Sequence, residues 1–224
     1  MPQTEPALVI FGASEIAEVA HFYYTHDSSR RIVSFTVDGA FLKESTLCGL
    51  PVVPFEELEA RFPPSEHDAF VALSYAKLNT VRADKVAQLK ARGYRLATYV
   101  SSKATTWPGL SIGENCFVLE DNTIQPFVRI DNNVTLWSGN HIGHHAHIGD
   151  NCFITSHVVI SGGVRVGENS FIGVNATIRD HVKIGHHSVL GAGSLILQDV
   201  ADFAVYTQPA AELSRVPSNR LRKI

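Results

Sequence analysis

Eleven histidines are spread over 224 residues, and eight of them fall between His141 and His187. A neutral imidazole is available near pH 7 to take a proton, and it is also a metal ligand, so these residues are the first candidates for chemistry. The densest run is Ile142-Gly143-His144-His145-Ala146-His147-Ile148-Gly149. Cys48, Cys116 and Cys152 show no metal-ligand spacing, and Cys48 has no evident neighbouring base, so a covalent intermediate on sulfur is not expected. Which imidazole is free to react depends on what positions the run.

The positioning element is a repeat. From Ile112 to Ile196 every sixth residue is Ile, Leu or Val, fifteen positions without an insertion. Four residues after each comes a small or modest side chain, among them Cys116, Ala146, Cys152 and Val164. A period of six fits neither a helix nor a simple alternating strand. It fits short strands joined by tight corners, with both positions pointing into a narrow interior. Three residues after each apolar position stands Gly, Asn, Asp or His, with Phe127 the one departure. Those residue types most readily accept a positive φ, so each corner is expected to be left-handed. Three such edges make an eighteen-residue triangular coil that rises about 4.8 Å per turn. The pattern opens imperfectly at Val100/Ala104 and Thr106/Leu110.

The repeat sorts the histidines. His145, His157, His181 and His187 occupy corners, where geometry alone accounts for them, while His141 and His147 lie on outer ladders. His144 and His186 sit one residue before a corner. His144 is distinguished by Gly162 and Gly163, eighteen residues on in the same corner column, which leave room for a thin ligand arm beside the ring. A backbone N–H near Gly162 is the candidate donor to a developing oxyanion. A second ladder, Phe117, Thr135, Phe153, Phe171 and Val189, points outward and is apolar. It is expected to pack against other subunits, the alternative being cover by the N-terminal domain.

Before the repeat, Ala7–Phe11, Arg31–Val37, Asp68–Ser74 and Arg95–Val100 read as strands, and Glu15–Tyr24 and Leu78–Arg92 as helices. This alternation predicts a small Rossmann-like parallel α/β unit. The turn Gly12-Ala13-Ser14 opens a helix whose first N–H groups suit a phosphate or ribose. It has one glycine rather than G-x-G-x-x-G, which argues against a dinucleotide cofactor. The boundaries read as 1–99 for the α/β unit, 100–205 for the β-helix and 206–224 for a tail expected to pack back over the β-helix end. With 45% apolar residues, 18% charged residues and a net charge of -3, nothing calls for nucleic acid or a membrane, and the thiols fit a cytoplasmic protein.

The repeat resembles the hexapeptide-repeat, left-handed parallel β-helix acyltransferases. The α/β unit before it, with Gly12, Ala13, Ser14 and Asp38, is similar to the sialic-acid O-acetyltransferase and bacillosamine-pathway N-acetyltransferase group, although Glu15-Ile16 replaces that group's Gly-His pair. The resemblance implies an acetyl-CoA-dependent N-acetyltransferase of glycan or O-antigen biosynthesis, acting as a homotrimer without metal. Its acceptor would be the amino group of a nucleotide-linked amino-deoxy sugar, with a sugar hydroxyl as the alternative. It further implies His144 as general base, with His145 or His157 supporting. CoA would lie along Gly162, Gly163, Val174 and Ala192, and the nucleotide-sugar against Gly12, Ala13, Ser14, Glu15 and Asp38. Where relatives often carry an acidic residue after the base, this chain has His145. Two other classes are weaker: a zinc hydratase of the γ-carbonic anhydrase type, resting on His181 and His186, and a non-catalytic scaffold.

Overall fold

The computed structural model describes residues 6–220, and these form two units sharing one buried aromatic seam. The first unit is a five-stranded sheet of β1 (Ala7–Phe11), β2 (Ile32–Val37), β3 (Thr46–Leu47), β4 (Leu50–Pro54) and β5 (His67–Val71), in the order β3-β4-β2-β1-β5. All neighbours run parallel except β3, which pairs antiparallel with β4. The strands are nearly continuous apolar runs because both faces are covered. Leu8, Ile10, Phe35 and Phe70 pack with α1 (Glu15–Asp27), while Val9, Phe11, Val53 and Val71 pack against α2 (Leu58–Arg61) and α3 (Thr80–Ala91). Gly12 follows β1 at φ +132°, and a Cβ there would stand 2.6 Å from the Ala72 carbonyl oxygen, so this turn requires glycine.

From Tyr99 onward the chain winds into a three-sided prism. Its first face carries seven two-residue strands, from Tyr99–Val100 to Val205–Tyr206. The second runs from Thr123–Ile124 to Leu195–Ile196 and the third from Ser111–Ile112 to Lys183–Ile184, with five strands each. Successive coils pair in parallel at the expected eighteen-residue offset, as in Thr135↔Phe153 and His141↔Val159. The sixth-residue positions line a dry interior with Cys116, Ala146, Cys152 and Val164. Every corner from Asn115 to Gly193 has a φ between 52° and 78°, Phe127 included.

The register closes early. Asp199 is not left-handed; instead Ile184 bridges to Val200 and Val189 pairs with Val205, offsets of sixteen rather than eighteen. The last coil is two residues short, and Phe203, at φ 58°, takes the corner place above His187.

Two expectations are corrected here. The outward aromatic ladder is covered by the chain's own N-terminal unit. Phe117 and Phe153 are 3% and 2% exposed; Phe117 packs on Tyr23, Phe70 and Tyr99, and Tyr75 on Phe153 and Phe171. Among the described residues, the tail from Thr207 to Arg220 is exposed throughout, Leu213 to 96%, so it does not cover the end of the prism. Residues 221–224 of the tail lie outside the described residues.

A buried arginine locks the seam. Arg82 of α3 is 1% exposed, and its guanidinium donates to Asn133 Oδ1, Thr135 Oγ1 and the carbonyls of Asn133, Asn151 and Cys152. Asn115 continues the grip: its Oδ1 accepts from the Val71 N–H at 2.8 Å and its Nδ2 donates to Asn133 Oδ1. Burial lowers the Arg82 pKa to about 10, and the group stays charged at neutral pH.

Candidate active site and the cavity of the α/β unit

His144 leaves the second face after Ile142 and precedes the corner residue His145, so its ring hangs outside the vertex between the second and third faces. Its backbone N–H donates to Gln125 Oε1 at 2.8 Å, fixing the peptide. The ring lies over Gly162 so closely that a Cβ there would stand 2.7 Å from His144 Cε1 and 2.8 Å from Nε2. The expected glycine notch therefore exists, and the imidazole fills its edge. Among the described residues, no hydrogen-bonding group reaches His144 Nε2. Its Nδ1 lies 3.1 Å from Nδ1 of His145, with the two rings at 85°. His145 in turn lies against Phe127, centroids 4.7 Å apart.

Three other histidines of the β-helix have structural places. His157 sits at a different vertex, between the first and second faces, with its ring over Gly139, so it does not meet His144 within one chain. His181 packs in the same way over Gly163, and His147 Nε2 lies 2.7 Å from Asp131 Oδ2. Among the described residues, no group of three or more His, Cys, Asp or Glu side chains is arranged to hold a metal ion. Burial pushes the thiol of Cys116 up to about 11 and that of Cys152 up to about 12.

The oxyanion donor read from the sequence is corrected. The Gly162 N–H already donates to Asp180 Oδ1 at 2.9 Å, and the Gly163 N–H donates to the His144 carbonyl at 2.8 Å. Asp180 continues the column of His144 and Gly162 one coil further on, a pairing visible in the eighteen-residue spacing once a carboxylate is sought there. The residues expected to line CoA divide between vertices. Gly162 and Gly163 stand beside His144, whereas Val174 and Ala192 share the column between the first and second faces. The whole second face separates the two groups.

At the carboxyl ends of β1 and β2 lies a cavity of about 480 Å³. Gly12, Ala13, Ser14 and Asp38 line it as expected; Glu15 does not, and Glu18, one helical turn on, does. Ser14 makes no side-chain cap, leaving the first N–H groups of α1 facing this crevice. Lys85 of α3 was not singled out from sequence, because it is one of several cations on an amphipathic helix. Its Nζ lies 2.5 Å from Asp38 Oδ1 and 5.1 Å from the ring centroids of both Phe11 and Phe55, placing a cation at the mouth of the cavity.

Residues 129–162 and 163–198 match the family described as bacterial transferase hexapeptide (six repeats). The C-terminal half is a left-handed, hexapeptide-repeat β-helix. No curated protein matches the chain. Among solved structures, it is similar to a mutant of perosamine N-acetyltransferase from Caulobacter crescentus in complex with CoA and GDP-perosamine, with a TM-score of 0.81 and 22% identity over 90% of this chain and 93% of that one. The acetyltransferase domain of PglB from Neisseria gonorrhoeae, in complex with acetyl coenzyme A, gives 0.79 at 22% identity, over 89% and 95%. WeeI from Acinetobacter baumannii gives 0.68 at 20% identity, over 89% and 95%. These likenesses cover both the α/β unit and the β-helix, and they establish the fold. Among the described residues, no helix is long and apolar enough to cross a membrane.

Proposed function

We propose that the chain is an acetyl-CoA-dependent N-acetyltransferase acting on the amino group of a nucleotide-linked amino-deoxy sugar. The observation that carries this reading is the His144 ring laid over Gly162, its Nε2 unengaged, on an open vertex of the β-helix. The solved relatives bound to CoA with GDP-perosamine and to acetyl coenzyme A support the two substrates. In the proposed step the sugar nitrogen attacks the thioester carbonyl as His144 Nε2 takes its proton. The C–S bond then breaks, and CoA leaves as the thiol with that proton. Cys116 and Cys152 are buried inside the prism, and the exposed Cys48 has no hydrogen-bonded base among the described residues, so the reading takes transfer to be direct. Asp38, the Gly12-Ala13-Ser14 turn and Lys85 would hold the nucleotide, with Lys85 and the α1 N-terminus supplying positive charge to its phosphates.

Assembly follows from where these parts lie. The α/β unit rests on the first face, and His144 stands on the vertex opposite that face. A sugar held by one chain's cavity therefore suits the His144 of another copy, which supports an oligomer, the homotrimer being what the resemblance implies. The same division accounts for Gly162 and Val174 standing at separate vertices.

The test is release of free thiol from acetyl-CoA with a panel of nucleotide-linked amino sugars beside their hydroxyl analogues. Turnover of the amino sugars is expected, with loss of about 10²–10⁴ in rate for His144→Ala at unchanged folding. Turnover confined to the hydroxyl analogues, or a His144→Ala protein as active as the wild type, refutes the assignment.

A further inference from the structure

Among the described residues no carboxylate orients the His144 base, and the geometry points to His145 as its positioning residue, held in turn by Phe127. This inference rests on the reading of His144 as base. The Nδ1 atoms of the two rings are 3.1 Å apart, and when both rings are neutral only one of them carries hydrogen there. If His144 donates, its Nε2 is bare and faces the Gly162 notch as a base. If His145 donates, His144 Nε2 carries the hydrogen and cannot take a proton. We infer that His145 is the acceptor, doing for this imidazole what a carboxylate does elsewhere.

Phe127 explains how the acceptor is held. Between Asn115 and Gly193 it is the one corner residue that is neither Gly, Asn, Asp nor His, and its aromatic side chain sits at φ 66° where those types are favoured. Its ring lies against His145 at 4.7 Å and 36°. The molecule repeats this device. Phe203, at φ 58°, lies 5.3 Å and 30° from His187, whose Nδ1 is 3.0 Å from Nδ1 of His186. There the polarity is reversed, because His186 Nε2 lies 3.1 Å from Asp202 Oδ2. The negative charge of that carboxylate favours a hydrogen on Nε2 over one on Nδ1, so His186 is assigned as the acceptor at Nδ1. Two aromatic residues in left-handed backbone thus each brace the second member of a histidine pair, and only the pair over Gly162 has its outer nitrogen free.

The corner itself supplies the test, since both Gly and Asn occupy neighbouring corners at positive φ. His145→Gly keeps the turn and removes the acceptor; His145→Asn keeps the turn and places Oδ1 where Nδ1 stood. In the full-length protein labelled with ¹⁵N-histidine, His144 is expected in the Nδ1–H form and His186 in the Nε2–H form. The Gly variant should lose the His144 preference, with kcat down roughly 10- to 100-fold and KM within about twofold. The Asn variant should retain the tautomer and most of the turnover. Equal behaviour of the two variants, or a better Gly variant, overturns the inference. The tautomer reading decides the matter even if no amino sugar is turned over, a result that would sink only the proposed reaction.

Discussion

Replacing Arg82 by methionine keeps most of the buried volume and removes the guanidinium from the seam. Five acceptors lose their donor: Asn133 Oδ1, Thr135 Oγ1 and three carbonyls at 2.9 to 3.2 Å. Two are partly compensated, because Asn133 Oδ1 still accepts from Asn115 and the Cys152 carbonyl from the Thr135 N–H. Among the described residues, the Asn133 and Asn151 carbonyls have no other donor, and each buried orphan costs about 1–3 kcal/mol. Against this, the variant no longer holds a charge in a site that contains no carboxylate, a burden of several kcal/mol that an apolar side chain relieves. The loss of satisfied bonds outweighs the relief, for a net destabilisation of about 2–4 kcal/mol. For a chain of this length that is a fall in Tm of roughly 5–15 °C. Urea unfolding followed by fluorescence measures it, because Trp137 packs against Phe153 in the same seam. A methionine variant as stable as the wild type, or more so, would show that burying the charge costs more than its five bonds return.

Three further outcomes follow from the site and the seam. Gly162→Ala places a methyl group 2.7–2.8 Å from the His144 ring at a backbone position that tolerates a side chain, so the ring must swing away. Turnover should fall by at least about tenfold while the unfolding midpoint moves by no more than about 1 kcal/mol, checked on one preparation. Asp27 accepts from Ser102 first, then from Tyr99 and Ser101, and these bonds hold its carboxyl well below the usual carboxylate range. Its folded pKa is depressed, so its contribution is complete above about pH 4 and is lost as pH falls further. Asp27→Asn should therefore flatten the decline of stability below that pH, as read from thermal melts across an acid series. A thiol reagent at pH 8 should modify Cys48 alone in the native protein and all three cysteines after denaturation, since burial holds Cys116 and Cys152 at about 11 and 12.

The β-helix was legible because each of its rules acts locally. An inward Ile, Leu or Val at every sixth place and a left-handed corner three residues later leave their mark residue by residue. The glycine notch beside His144 was legible for the same reason, being a matter of eighteen-residue spacing. Features settled by a second element were not. Whether Phe117 and Phe153 meet another subunit or the chain's own α1 and β5 depends on a docking event that no periodicity records. The strand β4 was missed because Pro51 and Pro54 interrupt its pattern, tolerable only because its one outer neighbour is the two-residue β3. The shortened last coil was hidden because Val200 is apolar and suits the interior in either register. Asp180 escaped because the bond it makes runs to backbone, and Lys85 because its partners, Asp38 and Phe11, come from distant segments.

The aromatic seam also decides how this protein can be cut. A fragment beginning at Tyr99 would keep every coil yet bare Phe117, Phe153 and Phe171 as a continuous greasy strip, with the carbonyls that Arg82 serves left open to solvent. Such a piece would clump rather than serve as a portable catalytic module. Exchanging the front unit for another would succeed only if the graft brings its own arginine and its own aromatic underside, so whatever that unit binds and the solubility of the whole are inherited together.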